Sequence, residues 1–332
     1  MKKNLFVIIC LAVIGFQPIY SQKTLKFNAN KKFKIVQFTD VHYISGDARS
    51  DAALDNIRET LDAEKPDLVI FTGDIIFDKP ADKGLREVLL PVSERKIPFG
   101  ITFGNHDDEF DFTREQLLGI AKEIPYNISY TAPDVSGVGN YFLPVISSGS
   151  DKPAFLLYCF DSNSYSTIEG VKGYGYINFD QIDWYKKQSA SFAKKNGGKP
   201  VPAVAFFHIP LPEYNQAAGN ENAILTGTRK ERACAPELNT GMFTAMKEMG
   251  DVMATFVGHD HDNDYAIYHH GIMLTYGRYT GGSTVYNNLK PNGARIIELT
   301  EGEYGLRTWI RLRGGSIIHD IKHPDFFYKE KD

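Results

Sequence analysis

Cysteine is scarce: the 332 residues hold three, Cys10, Cys159 and Cys234, far apart in sequence. That excludes a disulfide-stapled scaffold and a thiolate metal site of the CxxC type. No apolar run reaches the roughly 20 residues that span a bilayer, and the stretch from Leu5 to Phe16 stops well short. Excess positive charge is missing too, since Lys+Arg 37 against Asp+Glu 41 leaves a formal net charge of −4. Such a chain is not built to neutralise a nucleic-acid polymer or an anionic membrane, and neither is expected as a partner. Repeats and low-complexity tracts are absent, Gly 29 and Pro 16 are dispersed, and 42% of residues are hydrophobic. Collagen-like, coiled-coil and wholly disordered readings fall away, and a globular chain with an ample core remains.

What is present begins with an address. Met1-Lys2-Lys3-Asn4 precedes the apolar run, and Gln17 to Ser21 supply a small residue at a cleavage point. Residues 1–21 are therefore expected to be a signal peptide. Export to the periplasm, the cell surface or the medium follows, with no stable membrane insertion after cleavage. Cys10 lacks the small residues of a lipoprotein cleavage site before it, so no lipid anchor is expected. Cleavage would leave Cys159 and Cys234, which can form one disulfide or none. Residues 22–332 show no composition break and are read as one domain.

Within that stretch strands and helices alternate. Lys34 to Thr39 and Asp67 to Thr72 are short apolar runs ending in polar residues, which predicts buried strands. Leu54, Ile57 and Leu61 between them share a helical face, closed by Lys65-Pro66, so the two strands should be parallel. Further strands are expected at 98–103, 154–160, 201–207, 252–257 and 272–276. Thr113 and Gln116 mark a helix start at capping-box spacing, and Asp180 is expected to cap a helix carrying Ile182, Tyr185 and Phe192. The region from Ile272 to Arg313 is strand-rich. The class is α/β.

Five strands run straight into metal-ligand residue types. They give Asp40-Val41-His42, Gly73-Asp74, Gly104-Asn105-His106-Asp107, His208 and Gly258-His259-Asp260-His261, so five of the nine histidines sit at strand ends. In open α/β sheets the carboxyl ends of strands form the ligand site. One such histidine is ordinarily a satisfied core residue, but five beside Asp40, Asp74, Asn105 and Asp107 point to a metal site. Imidazole and carboxylate without thiolate suit Zn, Fe or Mn, and the ligands outnumber the needs of one ion. Two ions are implied.

This ordered set, DVH at 40–42, GD at 73–74, GNHD at 104–107, His208 and GHDH at 258–261, resembles the calcineurin-like metallophosphoesterase superfamily. The stretch Gly258 to Asp264 is similar to that of secreted phosphatases related to purple acid phosphatases. The resemblance implies a four-layer α/β/β/α sandwich with a dimetal site at the strand carboxyl ends. It assigns Asp40, His42 and His261 to a first ion, Asn105, His208 and His259 to a second, and Asp74 as the bridge. Two ions about 3.5–4 Å apart would hold and acidify a bridging hydroxide for in-line attack on phosphorus. His106 would protonate the leaving oxygen or stabilise phosphoryl charge, and Asp107 would orient that imidazole. Where purple enzymes have tyrosine three residues after the bridging aspartate this chain has Phe77, so no purple charge-transfer band is expected.

Asp260 reads as a turn residue, and His269, His270, His319 and His323 as structural or solvated. The segment from Pro210 to Leu238 could cover the metals; its Arg229, Lys230 and Arg232 read first as a solvated cluster and second as phosphate binders. Arg278 and Tyr279 could reach the cleft. The expected activity is hydrolysis of a small phosphomonoester, with phosphodiester hydrolysis of cyclic nucleotides, nucleotides or phospholipid headgroups as the alternative. A non-catalytic scaffold comes third, because no ligand position is substituted. Oligomeric state is not legible.

Overall fold

The computed structural model describes residues 24–327, so the expected signal segment 1–21 lies outside the described residues. Strands β1 (Lys32–Phe38), β2 (Leu68–Thr72) and β3 (Phe99–Thr102) pair in parallel, joined by helices α1 (Asp51–Glu64) and α2 (Ala81–Glu94). β4 (Tyr141–Ile146) pairs antiparallel with β5 (Pro153–Cys159), which is parallel to β6 (Ala203–Phe206). The two-residue β7 (Leu225–Thr226), β8 (Val252–Val257), β9 (Ala266–His269) and β10 (Ile272–Tyr276) complete this sheet. β11 (Gly293–Thr300), β12 (Leu306–Leu312) and β13 (Ile317–His323) return to the first. The orders are β13-β12-β11-β1-β2-β3 and β4-β5-β6-β8-β10-β9-β7.

Alternation along the strands stacks the sheets. Ile35, Leu68 and Ile70 of the first sheet share a core with Val204, Phe206 and Phe256 of the second. The opposite faces, Val36, Phe38, Val69 and Phe71, pack on α1, α2 and α3 (Arg114–Glu123). Ala203, Ala205 and Val252 likewise pack on α4 (Phe179–Lys195) and α6 (Met242–Met249), while α5 (Glu213–Ala218) adds Tyr214. The layers are thus helix, sheet, sheet, helix, as the resemblance implies. Gln37 reaches across the sandwich, donating from Nε2 to Thr72 Oγ1 at 2.8 Å and to the Val257 carbonyl at 3.0 Å. That contact holds the carboxyl ends of β1, β2 and β8 together.

Local expectations hold where periodicity or capping was strong. α1 stops at Lys65, whose left-handed φ of 47° ends the helix before Pro66. Thr113 and Gln116 form the capping box of α3. α4 is instead capped from Asn178, whose N–H is accepted by Gln181 at 2.7 Å, while Asp180 accepts the Ser136 N–H and hydroxyl. Strand β4 was not anticipated, because Pro144 interrupts its pattern; as an edge strand it tolerates the missing donor. Cys159 is buried and Cys234 exposed, and both are free, so the disulfide left open by the sequence does not form. Among the described residues no helix is long and apolar enough to cross a membrane.

Phe206 and Phe256 stack at 5.4 Å between the sheets, both fully buried. Phe206→Ala should lower unfolding free energy by about 3–5 kcal/mol through the cavity it leaves. Urea denaturation measures this; a loss below about 1 kcal/mol would mean that the inter-sheet layer is not the core described here.

Candidate metal centre

The five strand-end blocks meet at one edge of the sandwich. Asp40 and His42 follow β1, Asp74 follows β2, Asn105 and His106 follow β3, His208 follows β6, and His259 and His261 follow β8. Asp40, His42, Asp74, Asn105, His208, His259 and His261 are all 0–8% exposed. Their placement costs backbone strain, since Asp40, His42, Asp74 and His259 take positive φ of 54°, 43°, 50° and 80°. Non-glycine residues seldom adopt this region, and such outliers collect at functional sites. The motif glycines serve close approach. A Cβ on Gly104 would strike the Asp74 carboxylate, and one on Gly258 would strike Thr39 and the Asp40 carboxylate.

The ligand atoms fall into two groups that share Asp74. Asp40, His42, Asp74 and His261 bring one atom each within 4.8 Å of one another, as do Asp74, His208 and His259. Asp74 Oδ2 lies 3.1 Å from His208 Nε2 and 3.5 Å from His42 Nε2. His42 Nε2 and His261 Nε2 are 3.0 Å apart, and His259 Nδ1 is 3.3 Å from His208 Nε2. Two tautomers are set from outside: His208 Nδ1 donates to the Thr72 carbonyl at 2.7 Å, and His261 Nδ1 to the Tyr286 carbonyl at 2.8 Å. Each ring thereby presents Nε2 to the cluster, the usual arrangement around a metal-binding imidazole.

These residues fit a pair of cations. The Asn105 Oδ1 atom is buried with no hydrogen-bond partner in the protein. A buried unpaired acceptor is costly, and a cation beside it would relieve that cost. Burial holds His42 and His259 well below the usual histidine range, which keeps them neutral. Burial alone would raise Asp74, but the charge and hydrogen bond of His208 outweigh it and hold the carboxyl well below its usual range. Asp74 is therefore ionised where both groups need it.

His106 stands beside these groups, its side chain 30% exposed. Its N–H donates to Asp74 Oδ1 at 2.9 Å, and its ring sits edge-on to Phe77 at 5.2 Å. The expected contact with Asp107 is not formed, because a nearer set of donors claims that carboxylate. Asp107 accepts backbone N–H bonds from Asp74 (3.0 Å), Ile75 (2.7 Å), Ile76 (3.2 Å) and Gly104 (2.7 Å), locking the second block to the third. The group on His106 Nδ1 is Glu109, at 2.6 Å.

The rest falls outside the metal groups. Asp260 accepts from Tyr276 Oη at 2.6 Å and from the Cys234 N–H, consistent with a turn residue. Arg278 is buried against Asp264, whereas Tyr279 does reach the site, its ring 5.0 Å from that of His261. Arg229, Lys230 and Arg232 are exposed, in a segment that carries α5 and β7 and is tied to Asn263 by a bridge at Arg229. His269, His270, His319 and His323 take no part. Three aromatics were not foreseen: Tyr286 stacks on His261 at 4.4 Å, Tyr174 meets His259 edge-on at 4.3 Å, and Tyr165 stacks on Tyr174 at 5.8 Å.

A family model described as calcineurin-like phosphoesterase matches residues 33–263, which span all five blocks. The chain belongs to the calcineurin-like phosphoesterase family. An Arabidopsis thaliana protein described as probable inactive purple acid phosphatase 29 is 32% identical over 345 residues, covering 91% of this chain and 88% of that protein. Phosphatase DCR2 of Saccharomyces cerevisiae is 34% identical over 342 residues, covering 91% of this chain and 57% of the yeast protein. The solved structure of a dimetal phosphatase from Danio rerio is 15% identical with a TM-score of 0.58, covering 90% of this chain and 99% of that one; at that identity the likeness concerns the fold. Membership in this phosphoesterase family and the shared-carboxylate geometry together support divalent metal binding.

Asp107→Ala should release four backbone donors and lower unfolding free energy by roughly 3 kcal/mol or more, with loss of bound metal. Denaturant titration with elemental analysis checks both; wild-type stability with full metal content would show that the carboxylate does not hold the two loops.

Proposed function

We propose that this family member is an active, exported phosphohydrolase that uses two divalent ions to hydrolyse small phosphomonoesters. The observation that supports it most is the complete, buried ligand set around Asp74 with one imidazole, His106, left over beside it. Asp40, His42, Asp74 and His261 would hold one ion, and Asp74, Asn105, His208 and His259 the other. Bound ions in such a site polarise a phosphoryl group and acidify water.

The chain's own residues do the rest. Asp74 supplies the shared negative charge. The Thr72 and Tyr286 carbonyls keep His208 and His261 in one tautomer. With Nδ1 engaged by Glu109, Nε2 is the nitrogen His106 has left to give a proton to the departing alkoxide. That role suits an ester with a poor leaving group, and the yeast relative carries the description of a phosphatase. The Arabidopsis relative's description as inactive makes catalysis the point to test.

The test compares a chromogenic phosphomonoester with its bis-ester, using stripped protein reloaded separately with Mn, Fe or Zn. Turnover of the monoester over the diester is expected. Preference for the diester would move the substrate class, and no turnover with any metal would favour a scaffold. Asp74→Ala should lose both ions. His106→Ala should keep them and slow turnover by roughly 100-fold or more; an unchanged rate would remove His106 from the mechanism.

A further inference from the structure

Beside the ligand groups, four side chains form one hydrogen-bonded line. Asn105 Nδ2 donates to Tyr165 Oη at 3.2 Å, Tyr165 Oη donates to Glu109 Oε1 at 2.6 Å, and Glu109 Oε2 sits 2.6 Å from His106 Nδ1. We propose that Glu109 and Tyr165 are positioning residues that set the orientation of the His106 imidazole and of the Asn105 carboxamide together. This deepens the functional reading above and rests on it for the role of His106.

Donor and acceptor chemistry gives the line one direction. An ionised carboxylate can only accept, so the Tyr165 hydroxyl and the His106 Nδ1–H both point at Glu109. The phenol oxygen, its hydrogen committed, then accepts from an N–H, which makes the Tyr165-facing atom of Asn105 the nitrogen. Asn105 Oδ1 is thereby turned inward, where it is buried and has no partner in the protein. His106 is left with Nε2 outside the line, so the second proton of the doubly protonated ring, with Glu109 as its counter-ion, sits on Nε2 and is the one it can give up. The neighbouring carboxylates are otherwise engaged: Asp107 is spent on four backbone N–H groups and Asp108 lies 3.3 Å from Arg114, while the ring against His106 is the apolar Phe77.

The line also reaches the second ligand group from the other side. Tyr165 stacks on Tyr174, and Tyr174 meets His259 edge-on. Ser164 Oγ, one residue before, donates to the Asn105 carbonyl at 3.2 Å. A loop 60 residues downstream of Asn105 thus holds the side chain and the backbone of that ligand.

Both residues are partly exposed, the Glu109 side chain 35% and Tyr165 45%, so substitution leaves the core intact. In the zinc-loaded full chain, Glu109→Ala should move the His106 Nδ1 resonance in nitrogen-15 spectra. It should also cut kcat on an alkyl phosphate about 10- to 100-fold with little change in KM, the range typical of partners that orient a site residue. Glu109→Gln, which keeps an acceptor, should recover part of that loss. Tyr165→Phe should weaken binding of the second zinc by a similar factor. An unmoved His106 resonance in Glu109→Ala, or unchanged zinc affinity in Tyr165→Phe, overturns the proposal. Failure of the parent reading looks different: a His106→Ala protein as active as wild type would remove the proton donor, while the resonance and zinc measurements would still decide whether the line positions the two side chains.

Discussion

The Asp74 carboxylate is the contact on which the arrangement of this molecule turns. Its Oδ1 accepts the His106 N–H, its Oδ2 faces His208 and His42, and its main-chain carbonyl accepts the His42 N–H at 2.9 Å. Strand ends from both sheets are therefore gathered on one buried charge. Burying a carboxylate is expensive unless it is paired and hydrogen-bonded. Here the pairing is with imidazoles that also need a shared partner, so the cost of one group is offset by satisfying several. Asp107 makes the geometry rigid, since the loop that carries Asp74 and the loop that carries Asn105 hang from the same pair of oxygens.

This explains how much of the centre was legible in the sequence. The ligand types at strand ends could be read because buried parallel strands are continuous apolar runs, and the first polar residue after each run is where the fold must do its chemistry. Asp107 was also visible, but its partner was not: adjacency to His106 suggested a side-chain contact, whereas the turn points the carboxylate back at four backbone donors. Glu109 stands in the acidic run Asp107-Asp108-Glu109 with nothing local to single it out. Tyr165 lies in a loop whose path is decided by tertiary packing. Periodicity reports which face of an element is buried; it carries no information about which distant loop closes over a site.

The two most informative relatives pull in different directions, one described as an inactive purple acid phosphatase and the other as a phosphatase. Fold likeness cannot arbitrate, because one fold hosts active enzymes and binding proteins alike. The difference lies in the site. The unpartnered Asn105 Oδ1 and the four left-handed residues among the ligands cost stability, and their presence favours the proposed activity over a scaffold. Strain retained at the ligand positions accords with the proposed activity.

The same features link the centre to folding. Unpaired buried acceptors weigh against the folded chain, and cations held there would relieve them, so their binding free energy adds to stability in proportion to occupancy. The inter-sheet core, continuous from Phe33 on β1 to Phe256 on β8, supplies the rigidity that keeps these groups converged rather than letting them swing out to solvent. Helices on the outer faces can tolerate change; the strand ends cannot, because a shift of one residue in register turns every ligand to the wrong face. The position of Asp74 is in this sense a property of the whole sandwich, and the chemistry at its edge is what that sandwich is shaped to hold.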